Sequence, residues 1–548
     1  MQKPAIRQAL EELASYLELS GENPFKVRAF ENAARAIGNY AGDVADAAAS
    51  GALADVKGIG KGTLEVVREL ISTGRSADLE SLRGTVPRGL VEMLRVPGLG
   101  VAKIRQLHET LQIDSLDALE AAAADGRLAK LPRFGAKTAE AIRNAVAFLK
   151  RSSGFRLFHH ARDEASALQQ AIAAVPGVAR VEIAGSIRRR CEVIRETALV
   201  VVCAAGVAPD ELRRRIAAVP GAAAADVAVT TVAEFGWTWI RATGSASHLE
   251  QLERRGAARG VALAGAAGEE ADAYAALGLS WIPPEVREGD GEIAAAEKGP
   301  WPRLAERSDL RGFLHCHSTW SDGTVTIPEW AAACREAGYH WMGLTDHSQA
   351  AAYAGGLKPA DVARQHQEID RVNAANPDFR ILKGIEADIL ADGALDYGAE
   401  VLGRFDFVIG SVHSRFGLTK DEMTARVLAA MDDPHLTILG HPTGRLLLAR
   451  EAFAIDLDRV LARAAETGVA VEINGDPHRL DLDWRLVRRA HEMGIAISIG
   501  SDAHAVAGLA NVDVGLGIAR KGWLQGKDLL NALDAGGFLA RARKRRGG

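Results

Sequence analysis

Six short segments in the C-terminal half of the chain place histidine or carboxylate side chains at or just after the end of an apolar run. Side chains two residues apart on a β-strand point to the same face, so His315 and His317 share a face and Cys316 points away. The same spacing pairs Asp502 with His504. If the apolar runs are parallel strands, their carboxyl ends meet at one rim and bring these side chains together. The segments are His315–Ser318 with Ser321–Gly323, Thr345–Ser348, Gly384–Asp388, Ser411–Ser414, Gly440–Pro442 and Ser501–His504.

This set of side chains predicts a metal site. Imidazole and carboxylate ligands without thiolate favour Mn²⁺, Zn²⁺ or Fe²⁺ over a purely structural zinc. Eleven of the 15 histidines lie from Gly312 onward, in 237 of the 548 residues. Histidines buried as ordinary core residues would explain one such segment but not six in series.

The elements that must position these side chains follow from the hydrophobic pattern. Strand-like and helical runs alternate from Gly312 onward, which predicts a parallel α/β barrel or a related sheet. Residues 1–150 repeat apolar residues at spacings of three and four and are predicted to be helical. Residues 151–300 combine short β-rich runs with alanine-rich helical runs, which is typical of an α+β domain.

The connections between these regions are predicted from composition. The segment from Trp281 onward is rich in proline, glycine and charged residues and is expected to be an exposed linker. The basic tail at residues 541–548 is expected to be solvated, with a phosphate-binding arm as the alternative. The expected domains are a helical N-terminal domain (1–80), a second hairpin domain (81–150), the α+β domain (151–300), a linker (301–311) and the barrel (312–548).

A glycine hairpin recurs in the helical region, with two good copies and a weaker third at Leu131–Lys137. Glycine permits a positive φ and close backbone approach, and the free amides at the next helix start can point at a phosphate. This is the helix-hairpin-helix pattern, which holds the DNA backbone without reading its sequence. The alternative is a set of glycine C-caps in an ordinary bundle. The candidate DNA-binding residues are Gly58, Gly60 and Lys61 in the first copy and Gly98, Gly100 and Lys103 in the second.

Composition limits the classes of function. Hydrophobic residues make up 48% of the chain and charged residues 25%, which is typical of a globular protein. The net charge of −5 excludes a bulk polycation, so any nucleic-acid binding must be local. No apolar run reaches the length of a membrane helix, and the N-terminus lacks a signal-peptide pattern. Four cysteines make no disulfide framework, so a cytoplasmic location is expected.

Taken together, the six segments resemble the polymerase-and-histidinol-phosphatase (PHP) domain. The resemblance implies a distorted α/β barrel that holds up to three divalent metals, with Mn²⁺ the expected ion, and hydrolyses phosphoesters with water activated by the metals. It implies a first metal on His315, His317, Glu386 and Asp502, a second on Glu386, His413 and His441, and a third on Asp322, His347 and His504. The residues expected to be catalytic are His315, His317, Glu386, His413, Asp502 and His504. Arg479 and Asp481 also match the family, either as groups near the substrate or as loop structure.

Over nearly its whole length the chain resembles the bacterial family X DNA polymerases. Besides the hairpins, the resemblance rests on Asn23–Phe30, on the Gly-Ser motif within Ala184–Arg189 and on the thumb-like segment Tyr274–Pro284. It implies a monomer that binds gapped, nicked or 3′-recessed DNA without sequence preference. Three lysines are equal candidates for a lyase nucleophile: Lys26, Lys57 and Lys61.

The chain departs from this family in the palm. The family places Asp-x-Asp after the Gly-Ser motif to hold two Mg²⁺ ions, whereas this chain has Glu196-Thr197-Ala198. Asp226 is the candidate for a surviving third carboxylate, and Arg241-Ala242 replaces the family's aromatic pair. We therefore expect polymerase activity to be weak or lost, and Mg²⁺ to bind only if the palm is active. The residues of this degenerate site are Gly185, Ser186, Arg188, Glu196, Ala198 and Asp226.

The leading hypothesis is a DNA-repair enzyme whose PHP domain acts as a metal-dependent 3′–5′ exonuclease or related phosphoesterase on DNA 3′ ends. Trimming of 3′-phosphates and cleavage at abasic sites stay open as activities of the same metals. One alternative is a working gap-filling polymerase with Glu196 and Asp226 as ligands. Another is a phosphatase for small molecules, similar to a histidinol phosphatase.

Overall fold

The computed structural model describes residues 3–40 and 42–547 and forms two compact units, Met1–Ser153 and Gly154–Gly548. The described part of the first unit is built of helices, as predicted for residues 1–150. Among all the described helices, none combines the length and apolarity that a membrane crossing requires. The helices of the first unit are α1 (Lys3–Ser20), α2 (Pro24–Asn39), α3 (Val44–Ser50), α4 (Lys61–Thr73), α5 (Ala77–Thr85), α6 (Arg88–Met93), α7 (Val101–Leu111), α8 (Leu116–Ala124) and α9 (Ala136–Arg151).

Two hydrophobic clusters hold the first unit together. The first joins α1 to α5 and includes Leu10, Phe30 and Val67. The second joins α6 to α9 and includes Met93 and Phe134. The apolar spacing of three and four in the sequence therefore supplies the buried face of each helix.

The second unit begins with an α+β region, as predicted for residues 151–300. Its central sheet has three strands in the order β2-β4-β5, with β2 antiparallel and β5 parallel to β4. The elements are β1 (Arg156–Leu157), α10 (Phe158–Ala173), β2 (Val178–Ile183), α11 (Gly185–Arg188), β3 (Val193–Ile194), β4 (Ala198–Cys203), α12 (Pro209–Ile216), β5 (Asp226–Thr230), α13 (Phe235–Thr243), α14 (Ala246–Arg259), α15 (Glu270–Ala276) and α16 (Glu292–Glu297).

The prediction of an exposed linker after Trp281 is wrong. Ile282, Arg287 and Glu292 are fully buried, and the segment 301–311 also buries Leu304, Ala305 and Leu310. The charged residues that suggested exposure are paired instead. The guanidinium of Arg287 binds the Glu270 carboxylate through both terminal nitrogens, and Glu292 lies 2.6 Å from the His248 ring.

The rest of the second unit is a closed barrel of seven parallel strands in sequence order, as predicted from Gly312 onward. Its elements are β6 (Gly312–Cys316), α17 (Ile327–Glu336), β7 (Trp341–Leu344), α18 (Pro359–Ala375), β8 (Arg380–Asp388), α19 (Ala399–Leu402), β9 (Phe407–Ser411), α20 (Lys420–Asp432), β10 (Leu436–Leu439), α21 (Leu457–Thr467), β11 (Ala470–Asn474), α22 (Trp484–Glu492), β12 (Ile497–Ala503), α23 (Asn511–Lys521) and α24 (Ala535–Arg545).

Large aromatic rings fill the amino end of the barrel. The Phe407 ring occupies the space beside two strand glycines, where a Cβ on Gly343 or Gly384 would lie within 2.5 Å of it. Phe538 of α24 packs against both Trp341 and Phe407 and closes this end. The carboxyl end of the barrel is therefore the end at which a site can form.

Two arginines of the tail pack against the barrel, which corrects the expectation of a solvated terminus for this part of it. Arg545 is half-buried, and its guanidinium donates to the backbone carbonyls of Thr467 (2.6 Å) and Asp433 (2.7 Å). Arg546 donates to the Phe405 carbonyl at 2.8 Å. These arginines satisfy carbonyls at the closed end of the barrel.

The α+β region and the barrel meet at a buried ammonium group. The Lys521 side chain of α23 is fully buried. Its Nζ donates to Glu288 Oε1 (2.5 Å) and to the carbonyls of Arg189 (3.2 Å) and Glu285 (3.3 Å). A buried charge needs such partners, so this contact fixes the two regions to each other.

Candidate metal centre

All nine side chains predicted to bind metals converge at the carboxyl end of the barrel. They come from the ends of strands β6, β8 and β12 and from the loops that follow the strands. Three of them have left-handed backbone conformations: His315 (φ 61°), His441 (φ 22°) and Asp502 (φ 51°). Such conformations are unfavourable for residues other than glycine, and they are typical of functional sites.

Glu386 of β8 is the centre of this arrangement. Its Oε1 lies 3.0 Å from His441 Nε2, 3.2 Å from His413 Nε2 and 3.3 Å from His315 Nε2. Its Oε2 lies 3.0 Å from His347 Nδ1. One buried carboxylate therefore faces imidazoles on both of its oxygens, as a ligand that bridges two metals would.

Asp502 of β12 is the second buried carboxylate. Its Oδ1 lies 3.4 Å from His317 Nε2 and 3.8 Å from His315 Nε2. Its Oδ2 accepts a hydrogen bond from Asn474 Nδ2 at 3.1 Å and lies 3.4 Å from Arg479 Nε. The sequence singled out Arg479 but not Asn474.

The third group lies nearer the solvent. Asp322 Oδ1 is 3.3 Å from His504 Nε2, and its Oδ2 is 3.7 Å from His347 Nε2. The His317 ring stacks on that of His504, with centroids 4.2 Å apart. His317 therefore lies between this group and Asp502.

The donor atoms fit divalent cations. Within the described residues, three groups of donors are close enough to bind one ion each: His317, Asp322, His347 and His504; His315, His317 and Asp502; and His347, Glu386 and His413. His441 joins them through Glu386. Several of the buried nitrogen and oxygen atoms that could bind a metal have no hydrogen-bond partner among the described residues. They include His315 Nε2, both ring nitrogens of His317 and Glu386 Oε2. An unpaired buried polar atom costs about 1–3 kcal/mol, so these atoms are suited to a cation.

The three groups of donor side chains overlap one another. His317 is shared between two groups, and His347 lies beside Glu386 and His413 as well as beside Asp322. The ring–ring distances are 4.3 Å for His317–His347 and 5.2 Å for His347–His413. The three groups therefore form one continuous cluster.

Two further carboxylates hold the imidazoles in place. Glu472 Oε1 lies 2.5 Å from His315 Nδ1, and its Oε2 accepts the His441 backbone N–H at 2.8 Å. Asp388 Oδ1 lies 2.7 Å from His413 Nδ1. A carboxylate behind a metal-binding imidazole fixes the orientation of the ring and makes it a better ligand.

The sequence did not identify the roles of Glu472 and Asp388. Asp388 follows Glu386 by two residues on β8, so a strand-alternation argument could have placed both on one face. Glu472 contacts His315 although the two residues are 157 positions apart in the chain, and no local spacing in the sequence predicts that contact. Asp481, which the sequence did single out, accepts the backbone N–H groups of Thr443 and Gly444 and so supports a loop.

Electrostatics keep the carboxylates ionised. Burial would raise the pKa of Glu386, but His413, His315 and His347 hold it well below the ordinary value. Burial lowers the pKa of His317 to about 3, so this ring is neutral and has a free nitrogen. Acting against burial, nearby carboxylates raise the pKa of His413 to about 10 and that of His504 to about 9, so these rings must release protons when a cation binds.

The palm sheet lacks a comparable cluster. In the described chain, every group of side chains able to hold a metal lies in the barrel. Ala198 begins β4 opposite Asp226 of β5. A carboxylate at position 198, which the family resemblance leads one to expect, would therefore be a neighbour of Asp226. Ala198 packs in an apolar cluster with Val200 and Phe235, and Glu196 is exposed before the strand.

The Gly-Ser segment of the palm is packed tightly. Gly185 has φ 63°, and a Cβ built there would lie 3.0 Å from the Ala198 Cβ. The Arg188 guanidinium donates to both oxygens of Glu270 and lies 3.3 Å from the centroid of the Trp239 ring. Ser186 is half-buried. These contacts give Arg188 a structural role between the sheet and α15.

The three glycine hairpins share one geometry. This includes the third copy, Leu131–Lys137, whose sequence pattern is weaker. In each, a backbone N–H donates to the carbonyl three residues earlier, at 3.0, 3.0 and 3.1 Å. Gly58 and Gly98 adopt positive φ, and Arg133 takes the same conformation at φ 73°. Each hairpin ends in a glycine that caps the next helix, at Gly60, Gly100 and Gly135.

The two candidate lysines of these hairpins differ. Lys61 is exposed at the start of α4. Lys103 is half-buried, and its Nζ donates to the Gly98 carbonyl at 2.8 Å. Lys103 therefore stabilises its own hairpin, whereas Lys61 leaves its charge in solvent.

Comparison with known proteins agrees with this arrangement. A helix-hairpin-helix domain matches residues 1–76, a SAM-like helix-hairpin-helix tandem matches residues 90–147, and a PHP domain matches residues 314–476. The chain is 35% identical over 576 residues to the DNA polymerase/3′-5′ exonuclease PolX of Bacillus subtilis, covering 99% of this chain and 100% of that protein. A probable phosphatase of Syntrophotalea carbinolica is 30% identical over 166 residues, which cover 29% of this chain and 64% of that protein.

The fold and the metal centre define a metal-dependent hydrolase of the PHP class, joined to helix-hairpin-helix domains of the kind that bind DNA. The similarity to the Bacillus subtilis protein extends over the palm as well. The chain belongs to the PolX family of DNA polymerase/3′–5′ exonucleases, which confirms the identification made from the sequence.

Proposed function

We propose that the barrel is a 3′–5′ exonuclease that removes nucleotides from DNA 3′ ends with Mn²⁺ as its cation. The observation that carries the proposal is the convergence of eight donor side chains at the barrel mouth, with His441 beside Glu386 as the ninth and with buried nitrogens left for cations. Divalent cations bound there would stabilise the charge on the phosphate and lower the pKa of water. The nine proposed ligands are His315, His317, Asp322, His347, Glu386, His413, His441, Asp502 and His504.

The protein's own groups would set up this chemistry. Glu472 and Asp388 hold the His315 and His413 rings in fixed orientations. Arg479 lies 3.4 Å from Asp502 and places a positive charge at the rim, where a phosphodiester oxygen can bind. Because these groups are fixed before substrate arrives, little reorganisation is needed when the phosphate binds.

The helical unit and the palm would hold the DNA. The three hairpins offer helix-start amides to the backbone, which suits gapped, nicked or 3′-recessed DNA without sequence preference. The palm, with an alanine at β4 and an apolar face, would keep little or no polymerase activity. A monomer in the cytoplasm is the proposed state, since DNA is the proposed substrate and the four cysteines are free.

A working polymerase is the second candidate, because the name of the Bacillus subtilis relative includes that activity. It would have to use Glu196 and Asp226, both exposed and outside any donor cluster in the described chain. A phosphatase for small molecules is disfavoured, since the phosphatase of Syntrophotalea carbinolica matches 29% of this chain and the hairpins would have no role in it.

The test uses a 5′-labelled primer annealed in gapped DNA, incubated with Mn²⁺ with and without deoxynucleotides. The proposal expects the primer to shorten with wild-type protein and not with His315→Ala. His340→Ala, which alters an exposed histidine of the same domain, is the matched control and should behave as wild type.

The two activities give opposite results on the same gel. Extension when deoxynucleotides are added would contradict the loss of the polymerase. A primer that neither shortens nor grows would contradict the nuclease, and small phosphomonoesters would then be the next substrates to test.

A further inference from the structure

An exposed aromatic side chain lies at the mouth of the metal centre. Tyr353 is 74% exposed, and its ring centroid is 6.2 Å from that of His347. The ring therefore lies beside the proposed ligands.

The backbone beneath this ring is fixed. Tyr353 is the middle residue of a short helical turn, Ala352–Ala354; Ala351 before the turn and Ala354 at its end are buried. The Ala351 N–H donates to the Ser348 carbonyl at 3.0 Å, and the Ala354 N–H donates to that of Ala351 at 2.9 Å. An exposed aromatic ring on a backbone held in this way loses little conformational entropy when a flat ligand stacks on it.

We propose that Tyr353 is a stacking platform for the base of the nucleotide whose phosphodiester lies at the metal centre. The inference rests on the proposed nuclease function and adds a determinant of substrate specificity. Every nucleobase has a π face, so one aromatic ring can hold any of the four bases. Tyr353 would thus favour a nucleotide over a phosphoester that carries no base, without reading sequence.

The experiment pairs two substrates with three proteins. The 5′-labelled oligonucleotides are identical except at the 3′ end, which carries either thymidine or a tetrahydrofuran abasic analogue. Wild type, Tyr353→Phe and Tyr353→Leu are each assayed with Mn²⁺ for kcat and KM. Phenylalanine keeps the π face, whereas leucine keeps apolar bulk without it.

We expect wild type and Tyr353→Phe to prefer the end that carries a base by about 5- to 100-fold in kcat/KM, the usual range for one stacked base. Tyr353→Leu should lose this preference and cleave the abasic end at the wild-type rate. Three outcomes would each contradict the stacking proposal. They are an equal preference in Tyr353→Leu and wild type, an equal slowing of both substrates by the leucine variant, and no preference in wild type. If wild type shortens neither oligonucleotide, the nuclease proposal fails instead.

Discussion

The barrel mouth and the amino ends of the palm strands β4 and β5 belong to one compact unit, and they differ in what their side chains leave unpaired. At the barrel mouth, Glu386 and Asp502 are buried beside ring nitrogens of His315 and His317 that lack hydrogen-bond partners in the described chain. In the palm, Ala198 and Asp226 begin two neighbouring parallel strands; Ala198 lies in an apolar cluster and Asp226 is exposed beside it.

The two places also differ in the residues that lie behind the first layer. Glu472 and Asp388 hold the rings at the barrel mouth, whereas the palm residue Arg188 uses its charge to bind Glu270. In the barrel, these buried charges orient the proposed ligands. In the palm, the buried charge of Arg188 instead joins two elements of the fold.

The largest expected effect comes from Glu386→Gln, which removes the charge that the histidines share. We expect exonuclease activity to fall at least about 1,000-fold, because the loss of a shared metal ligand removes several kcal/mol of transition-state stabilisation. Cleavage of the labelled primer measures the effect. Glu336→Gln, an exposed carboxylate on α17, is the control. A variant within tenfold of wild type would show that Glu386 is not the centre of the site.

The next effect tests the second layer without replacing a proposed ligand. A Cβ on Gly500 would lie 1.8 Å from Glu472 Oε1, so Gly500→Ala must displace the carboxylate that orients His315. We expect Mn²⁺ affinity to fall about 10- to 100-fold by titration calorimetry.

The control for this glycine is Gly398→Ala, whose added Cβ meets nothing within 4 Å. Its Mn²⁺ affinity should equal that of wild type. If both glycine variants bind Mn²⁺ equally well, Glu472 does not support the metal centre.

A smaller effect is expected in the palm. Ala198→Asp restores a carboxylate but places it against Gly185 and Phe235, so we expect no primer extension and a free energy of unfolding lower by about 1–3 kcal/mol. Primer extension and chemical denaturation measure the two quantities. The exposed Ala223→Asp serves as the stability control. Robust extension by this single change would mean that the palm lacks only one ligand.

The smallest effect separates the two hairpin lysines. Lys61→Ala should weaken DNA binding about 2- to 5-fold and reduce the slope of log affinity against log salt by about 1, since it removes one phosphate contact. Lys103→Ala should change the slope less, because that ammonium binds the Gly98 carbonyl. Binding titrations over several salt concentrations measure both. Equal slopes for the two variants would contradict the difference in their contacts.

Much of this architecture could be predicted from the sequence because its signals are local. The alternation of strands and helices predicted the barrel, and the six strand-end segments predicted which side chains would meet. The hairpin turns at Gly58 and Gly98 could also be predicted, because a backbone with positive φ favours glycine.

What could not be predicted depends on partners far away in the chain. Arg287 and Glu292 look solvent-exposed in the sequence, and only the fold shows that Glu270 and His248 pair with them. Glu472 was missed for the same reason. Tyr353 carries no sequence signal at all, since an aromatic residue in a loop is common and only its place beside His347 distinguishes it.

The buried Lys521 has a consequence for how such a chain can evolve. Its ammonium depends on Glu288 and on two carbonyls from the palm side, so the barrel alone would leave a charge without partners. Selection on the barrel therefore also preserves the palm, even where the palm's own chemistry is lost. A palm side chain such as Ala198 can therefore change while the domain that holds it is retained.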